Sequence, residues 1–200
     1  NRFAGTLRTL GVDVEDRVLL VLPDRPEFAF AWFGAAKAGA VIAMVNPSLP
    51  AEDYVHYFQY TRCRVAVVDE ASLPRIDALR DSFPHLKHLI VVGEAGRHVS
   101  FEEVCAKASD EFVNADTHRD DPAIWLFSGG TTGRPKAVPQ SHLSFANTTE
   151  LYAKGAMGYR ESDVTIAVPK LFFGYATGAN LFFPFAVGGA AVLFPEKPTP

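Results

Sequence analysis

Residues 128 to 142 read SGGTTGRPKAVPQSH and follow directly on the apolar run Ala123-Ile124-Trp125-Leu126-Phe127. Glycines at 129, 130 and 133 remove side chains where a backbone must turn tightly and approach a bulky ligand, and they leave amide N–H groups free to face an anion. Ser128, Thr131 and Thr132 add hydroxyl donors. Arg134 and Lys136 add positive charge suited to neutralising a triphosphate or a departing pyrophosphate. Together Ser128, Gly129, Gly130, Thr131, Thr132, Gly133, Arg134 and Lys136 make a candidate nucleotide-phosphate site. A Walker A loop, G-x-x-x-x-G-K-[ST], does not fit: five positions after Gly129 stands Arg134, then Pro135, and Ala137 follows the lysine. Pro135 would also break the helix that starts within such a loop. A glycine-rich surface turn with incidental charges is the other reading of this spacing.

The elements that must position this loop follow from hydrophobic patterning. Short apolar runs alternate with longer helical stretches, the mark of βαβ units and a largely parallel sheet. Strands are predicted at Arg17 to Leu22, Ala40 to Val45, Arg64 to Val68, His88 to Val92, Ala123 to Phe127, Val164 to Val168 and Ala190 to Phe194. Most are apolar on both faces, as buried parallel strands are. Helices are predicted at Pro26 to Ala38, Ala51 to Tyr60, Leu73 to Asp81, Phe101 to Ala106, Ser141 to Lys154 and Gly174 to Phe185. The polar stretch NADTHRDDP, residues 114 to 122, reads as a linker or surface loop. It divides a first α/β subregion, 1–113, from a phosphate-loop subregion, 123–200.

Composition narrows the partners. With a net charge of −4 and scattered basic residues, the 200-residue chain suggests neither a nucleic-acid groove nor a membrane surface as partner. Its apolar runs are too short to cross a bilayer and its start does not resemble a cleavable leader, so the expected setting is soluble and cytoplasmic. Cys63 and Cys105 stand 42 residues apart with no metal-ligand spacing, and His56, His85, His88, His98 and His118 share no spacing that suggests metal ligands or a catalytic triad. No metal ligand is therefore assigned. His142 could approach a nucleotide or cap a helix, with Ser141 the more natural cap. Asp120-Asp121 reads as a solvated turn, and Lys170 as an ion-paired or snorkelling surface lysine. The start at Asn1 and the ending PEKPTP suggest a piece cut from something longer.

The stretch SGGTTGRPKAV resembles the phosphate-binding signature of the adenylate-forming superfamily, which includes acyl- and aryl-CoA synthetases, luciferases and adenylation domains. Ala137 stands in place of the customary last glycine, and Gly129 where serine or threonine is usual. The stretch LGVDVEDRVLLVLPDRPEFAFAWFGAAKAGAVIAMVNPSLPAEDY resembles the superfamily's opening portion. The segment VPKLFFGYATGANLFFPFAVGGAAVLFPEKPTP is similar in particular to benzoate- and hydroxybenzoate-CoA ligases. This resemblance implies an α/β N-terminal domain and ATP-dependent activation of an aromatic acid through an aryl-adenylate to its CoA thioester. It implies ATP, Mg²⁺ and CoA, catalytic roles for Lys136 and Thr131, and an aryl pocket lined by Phe173, Gly174 and Tyr175. Gly174 stands where benzoate ligases typically carry alanine, which would leave room for a ring substituent. Phe172, Phe173, Phe182, Phe183 and Phe185 are also ordinary material for a core. A carrier-protein thiol is the alternative acceptor, and a noncatalytic module of the same fold the alternative of another class. The resemblance also implies that the acidic motif, the hinge and the terminal-lobe lysine lie beyond Pro200, so the 200 residues alone are expected to be inactive.

Overall fold

The computed structural model describes residues 1–129 and 133–196. Seven strands form one sheet: β1 Arg17–Val21, β2 Val41–Met44, β3 Val65–Asp69, β4 His88–Val92, β5 Val99–Ser100, β6 Pro122–Ser128 and β7 Lys136–Ser141, in the order β5-β4-β3-β1-β2-β6-β7. All neighbours run parallel except β6 and β7, which are antiparallel. Helices α1 Arg2–Thr9, α2 Pro26–Lys37 and α5 Phe101–Lys107 cover one face, and α3 Ala51–Thr61 with α4 Leu73–Asp77 covers the other.

The two-residue repeat of a strand explains why both faces are apolar. Val18, Leu20, Val65, Val67, Ile90 and Val92 pack toward α1, α2 and α5, whereas Leu19, Val21, Ala66, Val68, Leu89 and Val91 pack toward α3 and α4. Helix α2 starts with Pro26 and Glu27 in its first turn and ends in Lys37. Gly39 then turns the chain at φ +77°, and a Cβ there would meet the Ala115 Cβ at 2.8 Å. Glycine is required at that position on both counts.

The sheet departs from the sequence expectation at β7, whose Pro139 argues against a strand until its place is known. β7 is an edge strand, where a residue without an N–H is tolerated. The two-residue β5 is too short to carry a periodic signal. Helix α1 is absent from the sequence expectation, and Phe3, Ala4 and Leu7 repeat at helical spacing there and are buried.

Past β7 the helical stretches are less regular than predicted. The span Ser141 to Lys154 resolves into α6, His142–Asn147, and a wider π-helical stretch, Thr148–Met157, that ends at Gly158 with φ +70°. The span Gly174 to Phe185 resolves into α7, Gly174–Thr177, a π-helical stretch Gly178–Phe182, and α8, Phe183–Ala186. Pro184 supplies no backbone N–H to the preceding turn, which favours the irregularity there. The predicted helix at Leu73 to Asp81 stops as α4 and continues in a 3₁₀ turn, Arg80–Ser82. Strands β8, Val164–Ile166, and β9, Ala190–Val192, pair parallel to each other in a separate two-stranded sheet. An aromatic cluster joins this region to α2: the Trp32 ring lies 4.4 Å from Phe182 and 5.9 Å from Phe145. Phe182 and Phe183 are buried and Phe172 half-buried, whereas Phe173 and Phe185 are exposed.

Candidate functional site

The glycine-rich loop connects β6 to β7, so it closes an antiparallel hairpin rather than opening a helix. Ser128 and Lys136 are direct cross-strand partners at its mouth, followed by Phe127 with Ala137 and Leu126 with Val138. Ser128, Gly129, Gly133, Arg134 and Lys136 are exposed. Gly130, Thr131 and Thr132 lie outside the described residues. Among the described residues neither Arg134 nor Lys136 takes part in an ion pair. Their charges are thus available to an anion.

Helix α3 holds the far side of the hairpin. Tyr57 and Tyr60 pack edge-on against Phe127, with ring centroids 4.7 and 5.8 Å away. His56 Nε2 lies 2.7 Å from the Pro135 carbonyl oxygen. The carbonyl only accepts, so Nε2 carries the hydrogen in this tautomer. A cavity of about 620 Å³ between α3 and the loop is lined by Glu52, Asp53, His56 and Arg134. Sequence reasoning left His56 without a role, since its partner is a backbone carbonyl 79 residues away.

The other face of the hairpin carries an apolar cavity. Residues paired across an antiparallel ladder share a face, as do residues two apart on a strand. Ser128, Leu126 and Ile124 of β6 therefore share a face with their partners Lys136, Val138 and Gln140 of β7. Leu126 and Gln140 line a cavity of about 290 Å³ with Phe145, Tyr152, Gly174, Tyr175 and Phe183. Two residues of strand separate Leu126 from Ser128, about 7 Å. The apolar cavity and the mouth of the glycine-rich loop thus adjoin on one surface.

The structure divides the three residues expected in the aryl pocket. Gly174 and Tyr175 line the cavity beside Leu126, whereas Phe173 lines a second one, about 400 Å³, with Pro47, Lys170 and Phe172. A Cβ on Gly174 would lie 2.8 Å from Leu126 Cδ1, so Leu126 already fills the space that the missing side chain leaves. Burial pushes the phenol of Tyr159 up, and the neighbouring Tyr175 and Tyr152 add to that shift. The Tyr159 hydroxyl lies 3.3 Å from the Ala179 carbonyl, to which it donates.

The remaining candidates have structural partners. Among the described residues Lys170 has no ion-pair partner, and it is not free at the surface: Nζ donates to the Phe194 carbonyl at 2.6 Å and sits 3.6 Å from the centre of that ring. Ser141 occupies the N-cap position of α6, but its hydroxyl meets Ser144 Oγ at 3.3 Å instead of a backbone N–H. The His142 N–H donates to the Asp121 carbonyl, and Asp121 in turn accepts from the His118 N–H at 2.7 Å, so the acidic pair does form a turn. Burial pushes the free thiols up, Cys63 to about 12 and Cys105 to about 11, which removes both as nucleophiles near neutral pH. Among the described residues, no three His, Cys, Asp or Glu side chains come together to hold a metal, and no helix is long and apolar enough to cross a membrane.

A family model described as AMP-binding enzyme matches residues 1–200. The chain belongs to the AMP-binding enzyme family. Among its AMP-binding relatives, a benzoate–CoA ligase of Thauera aromatica is 41% identical over 201 residues, covering 100% of this chain and 38% of that protein. A salicyl-AMP ligase / salicyl-S-ArCP synthetase of Mycobacterium tuberculosis is 34% identical over 215 residues, covering 100% of the chain and 36% of its own length. The crystal structure of an anthranilate CoA ligase in complex with anthranoyl-AMP superposes with a TM-score of 0.95 at 36% identity, covering 98% of this chain and 38% of that one. The chain therefore spans well under half the length of these relatives.

Proposed function

We propose that the protein to which these residues belong activates an aromatic carboxylic acid, benzoate or a substituted benzoate, with ATP and transfers the acyl group to CoA. The observation that carries this reading is the shared face of the β6–β7 hairpin, with Ser128 and Lys136 at the loop and Leu126, Gly174 and Tyr175 around an adjoining apolar cavity. An aryl ring in that cavity would direct its carboxylate toward a triphosphate in the loop. Attack on the α-phosphorus expels pyrophosphate and leaves an aryl-adenylate. The CoA thiol then displaces AMP.

Charge governs the first step, because a carboxylate must approach a polyanion. Lys136 and Arg134 neutralise the leaving pyrophosphate, and Ser128, Thr131, Thr132 and the amides of Gly129, Gly130 and Gly133 donate to phosphate oxygens. Mg²⁺ bound with ATP would lower the same repulsion beside Lys136 and Arg134. Holding the carboxylate in line with phosphorus supplies much of the remaining acceleration. Tyr175 stacks on the ring at the exposed rim while Leu126 closes the floor.

CoA is the favoured acceptor because the 41% identical relative is a benzoate–CoA ligase, and a carrier-protein thiol is the second reading, which the salicyl-S-ArCP synthetase supports. AMP release by the full-length protein, given ATP, Mg²⁺, CoA and a panel of benzoates, fatty acids and amino acids, tests both. Benzoate-selective release that requires CoA is expected. Pyrophosphate exchange with an aryl acid but no CoA-dependent turnover would move the assignment to a carrier protein, and silence with every acid would point to a noncatalytic module.

A further inference from the structure

The segment bearing Phe173, Gly174 and Tyr175 has a buried base and an exposed tip. Leu171 and Thr177 are buried, whereas Phe173 and Tyr175 are exposed. Within the segment, the Phe173 N–H donates to the Lys170 carbonyl at 2.9 Å and the Thr177 N–H to the Phe173 carbonyl at 3.0 Å. The Thr177 hydroxyl donates to the Leu171 carbonyl at 2.7 Å and lies 3.1 Å from the Phe173 carbonyl. These bonds make residues 170–177 a closed unit. They do not fix that unit to the sheet.

One tie to the sheet is the contact of the Thr177 hydroxyl with Met44 Sδ of β2 at 3.8 Å. The stronger tie comes from Asp24, which lies just past the carboxyl end of β1, the end at which open α/β sheets bind ligands. Its side chain is 1% exposed. Oδ1 accepts the Leu171 N–H at 2.7 Å across 147 residues of sequence, and among the described residues the enclosed Oδ2 has no hydrogen-bond partner. Burial pushes this carboxyl up from its ordinary range, while the Leu171 N–H and the positive charge of Lys170 draw it back. A carboxylate kept in such a place with one of its two oxygens unpartnered is costly, and a neutral acceptor would satisfy one N–H at lower cost. What the charge adds is a shorter and stronger bond to that one amide.

We propose that Asp24 is a positioning residue of the acid-binding segment: through the Leu171 amide it tightens the hold on residues 170–177 and so aims Gly174 and Tyr175 into the cavity beside Leu126. The inference rests on the reading of that cavity as the acid site. The phosphate loop hangs from β6 and β7, to which Asp24 makes no hydrogen bond among the described residues. Asp24 therefore acts on the acid and leaves ATP alone.

The experiment uses the full-length enzyme with Asp24→Ala and the volume-conserving Asp24→Asn, and measures separate KM values for aryl acid and ATP together with amide hydrogen exchange across residues 169–178 without substrates. Loss of a charge-assisted hydrogen bond predicts an aryl-acid KM raised about ten- to a hundredfold in Asp24→Ala, an ATP KM within about twofold, and faster exchange in the segment. Asp24→Asn keeps an acceptor but no charge. It shifts the ratio of the two KM values about threefold or more in the same direction, and it serves alone should the alanine variant not fold. An unchanged ratio in Asp24→Asn, parallel rises in both KM values, or unaltered exchange would overturn the proposal. A wild-type enzyme that uses no aromatic acid would overturn the substrate reading instead, while the substrate-free exchange experiment still reports on the attachment.

Discussion

Replacing Gly174 by alanine probes whether the cavity beside Leu126 receives the ring of the acid. The new Cβ would stand 2.8 Å from Leu126 Cδ1 and 3.2 Å from Cδ2, against an ordinary contact that begins at 3.4 Å, so the tip of Leu126 must retreat by about 0.6 Å. Leu126 is half-buried on a strand paired on both sides, which leaves its side chain, not its backbone, to move. Overpacking of this kind costs about 1–3 kcal/mol, and one methylene in an apolar substrate pocket is worth a similar amount, about 10- to 200-fold in kcat/KM. Gly174→Ala in the full-length enzyme is expected to lower kcat/KM about tenfold or more for ring-substituted benzoates, and less for benzoate itself. Leu126→Ala removes the obstructing atoms. The double variant should then recover most of the loss, with a coupling of about 0.5–3 kcal/mol in a double-mutant cycle. The assay is AMP release at saturating ATP and CoA. Additive effects of the two substitutions, or an equal loss for every acid, would refute the assignment of this cavity.

Lys136→Ala removes a cation at the loop mouth and is expected to lower the rate of aryl-acid-dependent pyrophosphate exchange about 10²- to 10³-fold, with the aryl-acid KM little changed; a loss confined to that KM would contradict the phosphate role. His56→Ala releases the Pro135 carbonyl and should raise the ATP KM about three- to tenfold. His56→Gln, which can still reach with an N–H, should restore most of it, and equal defects in the two variants would count against the anchor. The Cys63 thiol is raised from 9.0 to about 12, so the folded chain keeps a proton that the unfolded chain releases. Stability contributed this way is intact below about pH 9 and falls by up to about 1.4 kcal/mol per pH unit as pH rises from there toward 12. Urea unfolding at pH 8.5 and pH 10 should therefore show a shallower loss for Cys63→Ala than for wild type, and identical losses would exclude the thiol as the cause.

Fold class was legible because parallel strands covered on both faces leave an unmistakable mark: Leu19-Leu20-Val21 and Val65 to Val68 are apolar without a break. The loop was legible because glycines, hydroxyls and cations are dense over a few residues. The strand after it was not, because Pro139 is acceptable only at a sheet edge, and an edge is a property of tertiary structure. The same limit hid His56 and Asp24. One holds a carbonyl 79 residues away and the other an amide 147 residues away, and neither partner group is a side chain that a sequence pattern could register. Leu126 reads in the sequence as one more apolar strand residue, and only the fold sets it against Gly174.

The order of the strands in the sheet also sets a schedule for synthesis. β2 is paired on one side by β1, which precedes it, and on the other by β6, where Ile42 meets Ile124 from 82 positions further along. At about 5–20 residues per second, that flank of β2 stays open for roughly 4–16 s on the ribosome. During this interval Val41, Ile42, Ala43 and Met44 present an apolar strand with a free row of backbone donors and acceptors, a template to which a neighbouring nascent chain can add. Slower elongation between β2 and β6 is thus expected to raise the aggregated fraction, whereas slower elongation after β7 is not.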